Sequence, residues 1–406
     1  MNKKIIINKN ETLKIISKAK KIYFFGSGVI AEKTISNLNL YNKLNGIFDN
    51  SKTLWNTKID NAKIINPKQI KNLKRDEFII LITTTSFKNV YYQLENEFNL
   101  KPGVDFYLSF MLQDQVLIED IQSLKKKILF TSGAPKNNNA RYGGGLYEVN
   151  LNGNSWKLKK VYNGNCYGLI EVDSHIYLVD TDKGIIKMNK NFKIISNYKI
   201  EKGLRAHGLS YCNKSKKFVI ASSYKDKIVI FNKKFKKLKE IELTKKIKYE
   251  SSPQHHCNDC EIINNNVYVS MFSISGNWKK EVFDGGILEI NLKDNNKQTL
   301  INNLWMPHNV KYINGSLHIL DSLRGGLLFN NFTLQGTFPA FTRGLNYDNG
   351  YYYIGQSRNR NFSRFIGVSN NISVDTGIII FNPELKISRF LQFSNSISEI
   401  HSVLLI

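Results

Sequence analysis

Cysteine is scarce in this 406-residue chain, with four residues at positions 166, 212, 257 and 260. So few exclude a scaffold built on disulfides and suit a reducing compartment. Proline and histidine are as sparse, with seven of each. Acidic residues are outnumbered, 33 against 58 Lys and Arg, which leaves a formal charge of +25. Long apolar runs are missing: none reaches the roughly 18 residues that suggest a membrane helix. The opening MNKKIIINKNE carries an apolar stretch far shorter than the core of a signal peptide, so a cytoplasmic location is expected. Neither a G-x-S-x-G elbow nor a P-loop occurs.

The positive charge does not point to nucleic acid. Lysine is scattered, often in pairs, through a chain saturated with Lys, Asn and Ile, as AT-rich bacterial genomes encode. It forms no arm or tail, and no nucleic-acid-binding motif accompanies it. Hydrophobic residues make up 42%, enough for packed cores, and the length favours two domains over one.

The first domain is expected over residues 1–112. KIYFFGSGVIAEKTISNL reads as strand, glycine turn and helix, with Gly26, Gly28 and Ala31 in a G-x-G-x-x-A pattern. The first glycine permits the turn, and the second lets backbone approach a phosphate at the helix N-terminus. The strand NGIFD ends at Asp49, about 20 residues on, where an acid can hold a ribose hydroxyl. Gly26, Gly28 and Asp49 are thus candidate cofactor-binding residues for a nucleotide or nucleotide sugar. The stretches FFGSGVIAEKT, GIFDNSKTLWNTKID and FIILITTTSFKNVYYQLE resemble Rossmann-like domains found beside sugar-modifying transferases and methyltransferases in bacterial glycan clusters. The resemblance implies either nucleotide binding or simple packing. Hydride transfer fits less well, because the domain is too short for both halves of a dinucleotide fold. Residues 113–125, DQVLIEDIQSLKK from Asp114 on, read as a linking helix.

Beyond Lys126 the pattern changes to short alternating strands with Gly, Asn and Asp turns, in repeats of about 40–50 residues. The first strand of each repeat recurs in the phrases CYGLIEV, RAHGLSY, CNDCEII, PHNVKYI, TRGLNYD and IHSVLLI. From Gly168 to Ile176, Asp259 to Val267, Asn309 to Leu317 and Gly344 to Tyr352 the step to the second strand is the same. Six first strands result, and the last segment supplies only one strand. Three strands at the start, KKILFTSG, GGLYEVNL and SWKLKKVY, lack an inner partner. The economical arrangement over residues 126–406 is a six-bladed β-propeller closed three plus one by the C-terminal strand, which removes open sheet edges.

One position read around the ring gives Tyr167, His207, Asn258, His308, Arg343 and His401. In a propeller these inner-strand starts face the channel mouth, on the same rim as the second-to-third-strand loops. Three histidines about one axis suit a divalent metal with an open site, so His207, His308 and His401 are candidate ligands. Alternatively they act as acid–base groups with Arg343 stabilising an anion, or line a water-filled channel. Arginine repeats the signal: all but Arg75 and Arg389 fall on that rim, namely Arg141, Arg205, Arg324, Arg343, Arg358, Arg360 and Arg364. Its planar fork suits carboxylate or phosphate. Arg205, Arg324 and Arg358, with Tyr167, Asn258, His256 and Asp259, are therefore candidate substrate contacts. Trp278, Trp305, Tyr142 and Phe362 lie near the rim, where they could stack on a sugar or simply pack. HHCNDC at 255–260 reads as packing in preference to a zinc knuckle, and His175 and His318 read as structural.

WMPHNVKYINGSLHILDSLRGGLL, FTRGLNYDNGYYYIGQSRNRNF and the closing strand resemble a bacterial family of conserved hypothetical propeller proteins. That resemblance implies the fold and no reaction, since propellers host lyases, lactonases, epimerases and pure binders. The functional expectation is an enzyme of surface-polysaccharide biosynthesis. It would act on an anionic sugar or nucleotide sugar by acid–base or metal-assisted epimerisation, elimination or hydrolysis. The competing expectation is a non-catalytic propeller that binds an acidic glycan or a partner protein, and a redox role for the first domain ranks last.

Overall fold

A computed structural model describes residues 3–133, 143–201, 203–244, 254–358 and 372–406. The chain divides after Asp120 into two compact units.

In the first unit, helix α1 (Lys9–Lys18) starts in a capping box, in which Asn8 and Glu11 satisfy each other's backbone N–H groups. Strand β1 (Lys21–Phe25) leads through the glycine turn into α2 (Val29–Leu38), then β2 (Gly46–Phe48), β3 (Lys58–Ile59) and β4 (Ala62–Ile65). Strand β5 (Phe78–Ile82), helix α3 (Phe87–Asn96), β6 (Phe106–Leu108) and helix α4 (Gln113–Ser123) follow. The sheet order is β3-β4-β2-β1-β5-β6, parallel except for the β3–β4 hairpin. Strands β1 and β5 are apolar throughout their buried positions because helices and loops cover both faces.

The second unit is a ring of six four-stranded sheets. Numbered by inner strand, the blades start at Cys166–Val172, Ala206–Cys212, Cys257–Ile263, His308–Ile313 and Phe341–Asp348. The sixth is the closing blade. Its inner strand, Val403–Leu405, pairs antiparallel with Lys125–Ser132, which is followed outward by Gly145–Asn152 and Ser155–Tyr162. The three-plus-one closure expected from the sequence is therefore present. Each second strand is almost wholly buried, as in Ile176–Asp180 and Phe218–Ser222, whereas outer strands such as Ser155–Tyr162 alternate towards solvent. Of the second-to-third-strand loops on that rim, the long one at residues 273–284 is described in full. Arg141, Tyr142, Arg360, Phe362 and Arg364 lie outside the described residues.

Closure depends on apolar contact as well as on the ladder. Val403 is buried in a cluster with Ile128, Phe130, Tyr353 and Ile400. Replacing it with Asp puts an unpaired charge there, at a cost of about 3–4 kcal/mol. Thermal unfolding of Val403→Asp is expected to begin at markedly lower temperature than in the parent chain, in the propeller transition.

Candidate functional site

The side chains at the channel mouth are aimed by backbone irregularity. In five inner strands the ladder slips, between Cys166 and Leu169, Ala206 and Leu209, Cys257 and Cys260, His308 and Lys311, and Thr342 and Leu345. A bulge leaves residues unpaired and turns their side chains. Tyr167, His207, Asn258 and Arg343 lie in these breaks, and His308 borders one. His401 just precedes the closing strand, where its N–H donates to Thr131 O at 2.9 Å. All six are buried. Two residues earlier, Arg205, His256 and Met306 each adopt a left-handed backbone, with φ of 42°, 51° and 52°. For bulky side chains this conformation is strained, and it recurs at one rim in three successive blades.

The next position must be compact, because neighbouring inner strands touch there. A Cβ on Gly208 would stand 2.6 Å from Asp259 Cα. In blades three and four the residue is not glycine, and its side chain links blades. Asp259 Oδ2 accepts from Asn309 N at 3.0 Å, and Asn309 Oδ1 accepts from Gly344 N. Asp259, expected to touch substrate, is thus placed against blade four.

Around the ring, Tyr167 sits between two histidines, its ring centroid 4.2 Å from both His207 and His401. His401 is held from two sides. Its Nε2 meets Glu399 Oε2 at 3.0 Å and its Nδ1 meets Arg343 Nη1 at 3.2 Å. A guanidinium only donates, so Nδ1 accepts and Nε2 carries the proton. Arg343 Nη1 also lies 3.7 Å from Glu399 Oε2, closing a buried Glu–His–Arg triad. Sequence reasoning missed Glu399; its only signal was an acid two residues before a ring position.

His308 Nδ1 lies 3.0 Å from Met306 O and 2.9 Å from Ser322 Oγ. The carbonyl can only accept, so the Nδ1 proton is fixed there and Nε2 keeps its lone pair. His207 Nε2, His256 Nδ1 and Asn258 Oδ1 are buried without a hydrogen-bond partner among the described residues. Burial first, then the neighbouring cations and imidazoles, holds His207 and His308 well below the usual histidine range, and takes His256 down to about 3. These imidazoles are therefore neutral near pH 7.

The donor set does not fit the metal expected at His207, His308 and His401. Both nitrogens of His401 are engaged, and the Tyr167 ring lies against His207 and His401. Among the described residues no group of three or more His, Cys, Asp or Glu side chains could hold a metal ion. Cys257 and Cys260 are buried and give their thiols to Ser222 O at 3.0 Å and Val219 O at 3.5 Å.

The rim arginines stack on aromatic rings. Arg205 lies 4.4 Å over Tyr224, Arg324 4.4 Å over Trp305, and Arg343 4.7 Å over Phe341. Arg205 also bonds the Tyr167 side chain, so it belongs to the channel mouth. Arg324 turns to Asn303 O of blade three at 3.0 Å and to Asp321 Oδ2 of its own blade at 3.3 Å. Arg358 donates from Nε to Val374 O at 3.3 Å. His256 is sandwiched by Phe272 and Trp278, at 4.5 and 4.4 Å.

In the first unit, Gly26 has φ 108°, and a Cβ there would meet Thr84 Cβ at 2.6 Å, so strand packing alone requires glycine. Gly28 opens α2, with nothing within 4 Å of where its Cβ would stand. Asp49 is already engaged. Its Oδ2 accepts from Ser27 N at 3.0 Å and Ser27 Oγ at 2.6 Å, and its Oδ1 from Ser51 N at 2.8 Å. The acid expected to hold a ribose closes the glycine turn.

Comparison with known proteins yields two family matches. A domain of unknown function, DUF4915, matches residues 204–406, and a family described as C2185-like, N-terminal, matches residues 18–99. No curated protein matches. Among solved structures, a protein of unknown function from Bacteroides caccae is similar at 14% identity and TM-score 0.48, over 69% of this chain and 99% of that one. The calcium-binding protein regucalcin from Agrobacterium tumefaciens is similar at 8% identity and TM-score 0.40, over 56% and 74%. A gluconolactonase from Xanthomonas campestris is similar at 10% identity and TM-score 0.41, over 65% and 84%.

Asp259 gives the site a measurable pH signature. Burial raises its carboxyl from 3.8 to about 6. The folded state then holds a proton that the unfolded state has lost between about pH 4 and 6, so stability falls as pH rises through that window, by roughly 2–3 kcal/mol. Asp259→Asn keeps an acceptor for Asn309 N and removes the charge. Its melting temperature is expected to exceed the parent's at pH 8, with the gap narrowing at pH 5. The buried histidines act in the opposite sense in both proteins, losing stability as pH falls below about 6.5, so the difference between the two curves is the quantity to read.

Proposed function

Because this chain belongs to the family of the domain of unknown function DUF4915, whose description assigns no activity, we propose its function from the channel mouth alone. The propeller is an acid–base enzyme acting on a carboxylate-bearing sugar, the class expected of an epimerase or lyase of glycan precursors. The observation that carries this reading is a neutral imidazole, His207, whose buried Nε2 has no hydrogen-bond partner among the described residues, two residues after a rim guanidinium, Arg205.

Arg205 pairs with the sugar carboxylate and offsets the charge that builds on it. His207 Nε2 takes the proton from the carbon beside that carboxylate, and the C–H electron pair moves into the carboxylate as an enediolate. Return of a proton to the opposite face epimerises the carbon; loss of a β-oxygen, protonated as it leaves, gives elimination. Burial raises the Tyr167 phenol above its ordinary range, so it stays protonated and can supply that proton. His308, with its Nδ1 proton fixed and a lone pair on Nε2, stands on the blade opposite Tyr167 in ring order and is the second proton-transfer group. The Glu399–His401–Arg343 triad keeps a cation and an imidazole rigid beside them. Trp278, stacked on His256, offers a face for the sugar ring. No ligand is assigned to the first unit, because Asp49 is engaged by Ser27 and Ser51.

The test is exchange of the proton beside the carboxylate, followed by NMR in deuterated buffer with D-glucuronate and D-galacturonate and their nucleotide-diphosphate esters. Exchange is expected with at least one, persisting at pH values below the usual histidine range, and falling about 100-fold or more in His207→Ala. Saturable binding with no exchange in the parent chain would favour a non-catalytic binding propeller.

A further inference from the structure

We propose that a cleft between blades four and five, at the end of the propeller opposite the rim, binds a neutral sugar ring. This site shares no residue with the channel mouth and does not rest on the function proposed there. The cleft encloses ≈ 370 Å³, at the small end of the range for small-molecule sites. It lies among the turns that join first to second and third to fourth strands, whereas the rim carries the inner-strand starts.

Its origin is a missing plug. In every blade the turn from third to fourth strand holds left-handed backbone, at Asn295 in blade three and Gly153 in the closing blade, and in three blades a left-handed residue there is phenylalanine. That residue is Phe192 in blade one, Phe235 in blade two and Phe332 in blade four, with φ of 62°, 55° and 60°. Each of these rings joins an apolar cluster that includes the preceding blade: Phe192 the one with Leu129, Phe235 the one with Tyr177, 6.0 Å from its ring centroid, and Phe332 the one with Ile287. In blade five the left-handed residue is Lys386, φ 56°, which is exposed and donates from Nζ to Gln335 O at 2.6 Å. The gap it would have filled stays open.

Beneath the cleft lies a buried aromatic stack, and the partly exposed Tyr347 continues it to the surface. His318 stacks on Phe329 at 4.6 Å and 27°, Phe329 on Tyr352 at 5.3 Å and 21°, and Tyr347 lies 4.9 Å from Tyr352. The exposed part of the Tyr347 ring suits the flat C–H face of a pyranose. Above it the lining is polar: the side-chain amides of Asn314, Asn330 and Gln335 offer donors and acceptors, and Glu384 offers a carboxylate. Among the described residues no ion pair engages Glu384, so its charge disfavours an anion and favours hydroxyl donors.

The test uses the full chain and saturation-transfer NMR with D-glucose, N-acetyl-D-glucosamine and choline. Transfer to at least one of the two sugars is expected. Lys386→Phe, which restores the plug found in three other blades, is expected to abolish that transfer without lowering the melting temperature. Glu384→Ala, at an exposed position, is expected to weaken sugar binding at least threefold, and His207→Ala to leave it unchanged. The proposal is overturned if neither sugar shows transfer, or if transfer survives Lys386→Phe. It also fails if Glu384→Ala binds as the parent does, if His207→Ala loses binding, or if choline alone is bound.

Discussion

Everything in the second unit depends on one short strand pairing. Val403, Leu404 and Leu405 lie against Phe130, Leu129 and Ile128, and this ladder turns a row of sheets into a ring. Without it two sheet edges stand open, and unpaired edges recruit other chains. With it each blade packs against two neighbours, and the inner strands approach closely enough that glycine stands beside three ring positions and a residue linking the blades beside two others.

The same closeness shapes the channel mouth. Inner strands crowded around an axis cannot keep a regular ladder, and the resulting bulges turn polar side chains towards the centre. Burial then sets their state. Imidazoles removed from water and surrounded by guanidinium groups stay neutral, a condition for accepting protons at ordinary pH. Glu399 compensates one of those guanidinium groups, so the mouth is not simply a sink of positive charge.

Much of this was legible in the sequence because a propeller is periodic. A constant step from Gly168 to Ile176 and from Gly344 to Tyr352 locates inner strands, and the closing arrangement follows from counting them. The ring positions follow too, because each has a fixed place in its repeat. What periodicity cannot carry is the way side chains on different blades meet. Tyr167 separating His207 from His401, Glu399 taking the second nitrogen of His401, and Asp259 reaching Asn309 are contacts between repeats. A metal expected from three histidines in one column fails for that reason. In the first unit, spacing alone put Asp49 where a ribose could be; Ser27, adjacent to both motif glycines, decides that it faces inward.

Glu399 and His401 immediately precede the closing strand, while Arg343 and Tyr167 come from blades five and one on either side of it. The ring and its triad are therefore completed by the same docking event. A molecule that has not sealed its circle has neither a protected edge nor a finished site. Under the acid–base reading proposed above, turnover would report on ring integrity, and species with exposed edges would be silent towards substrate.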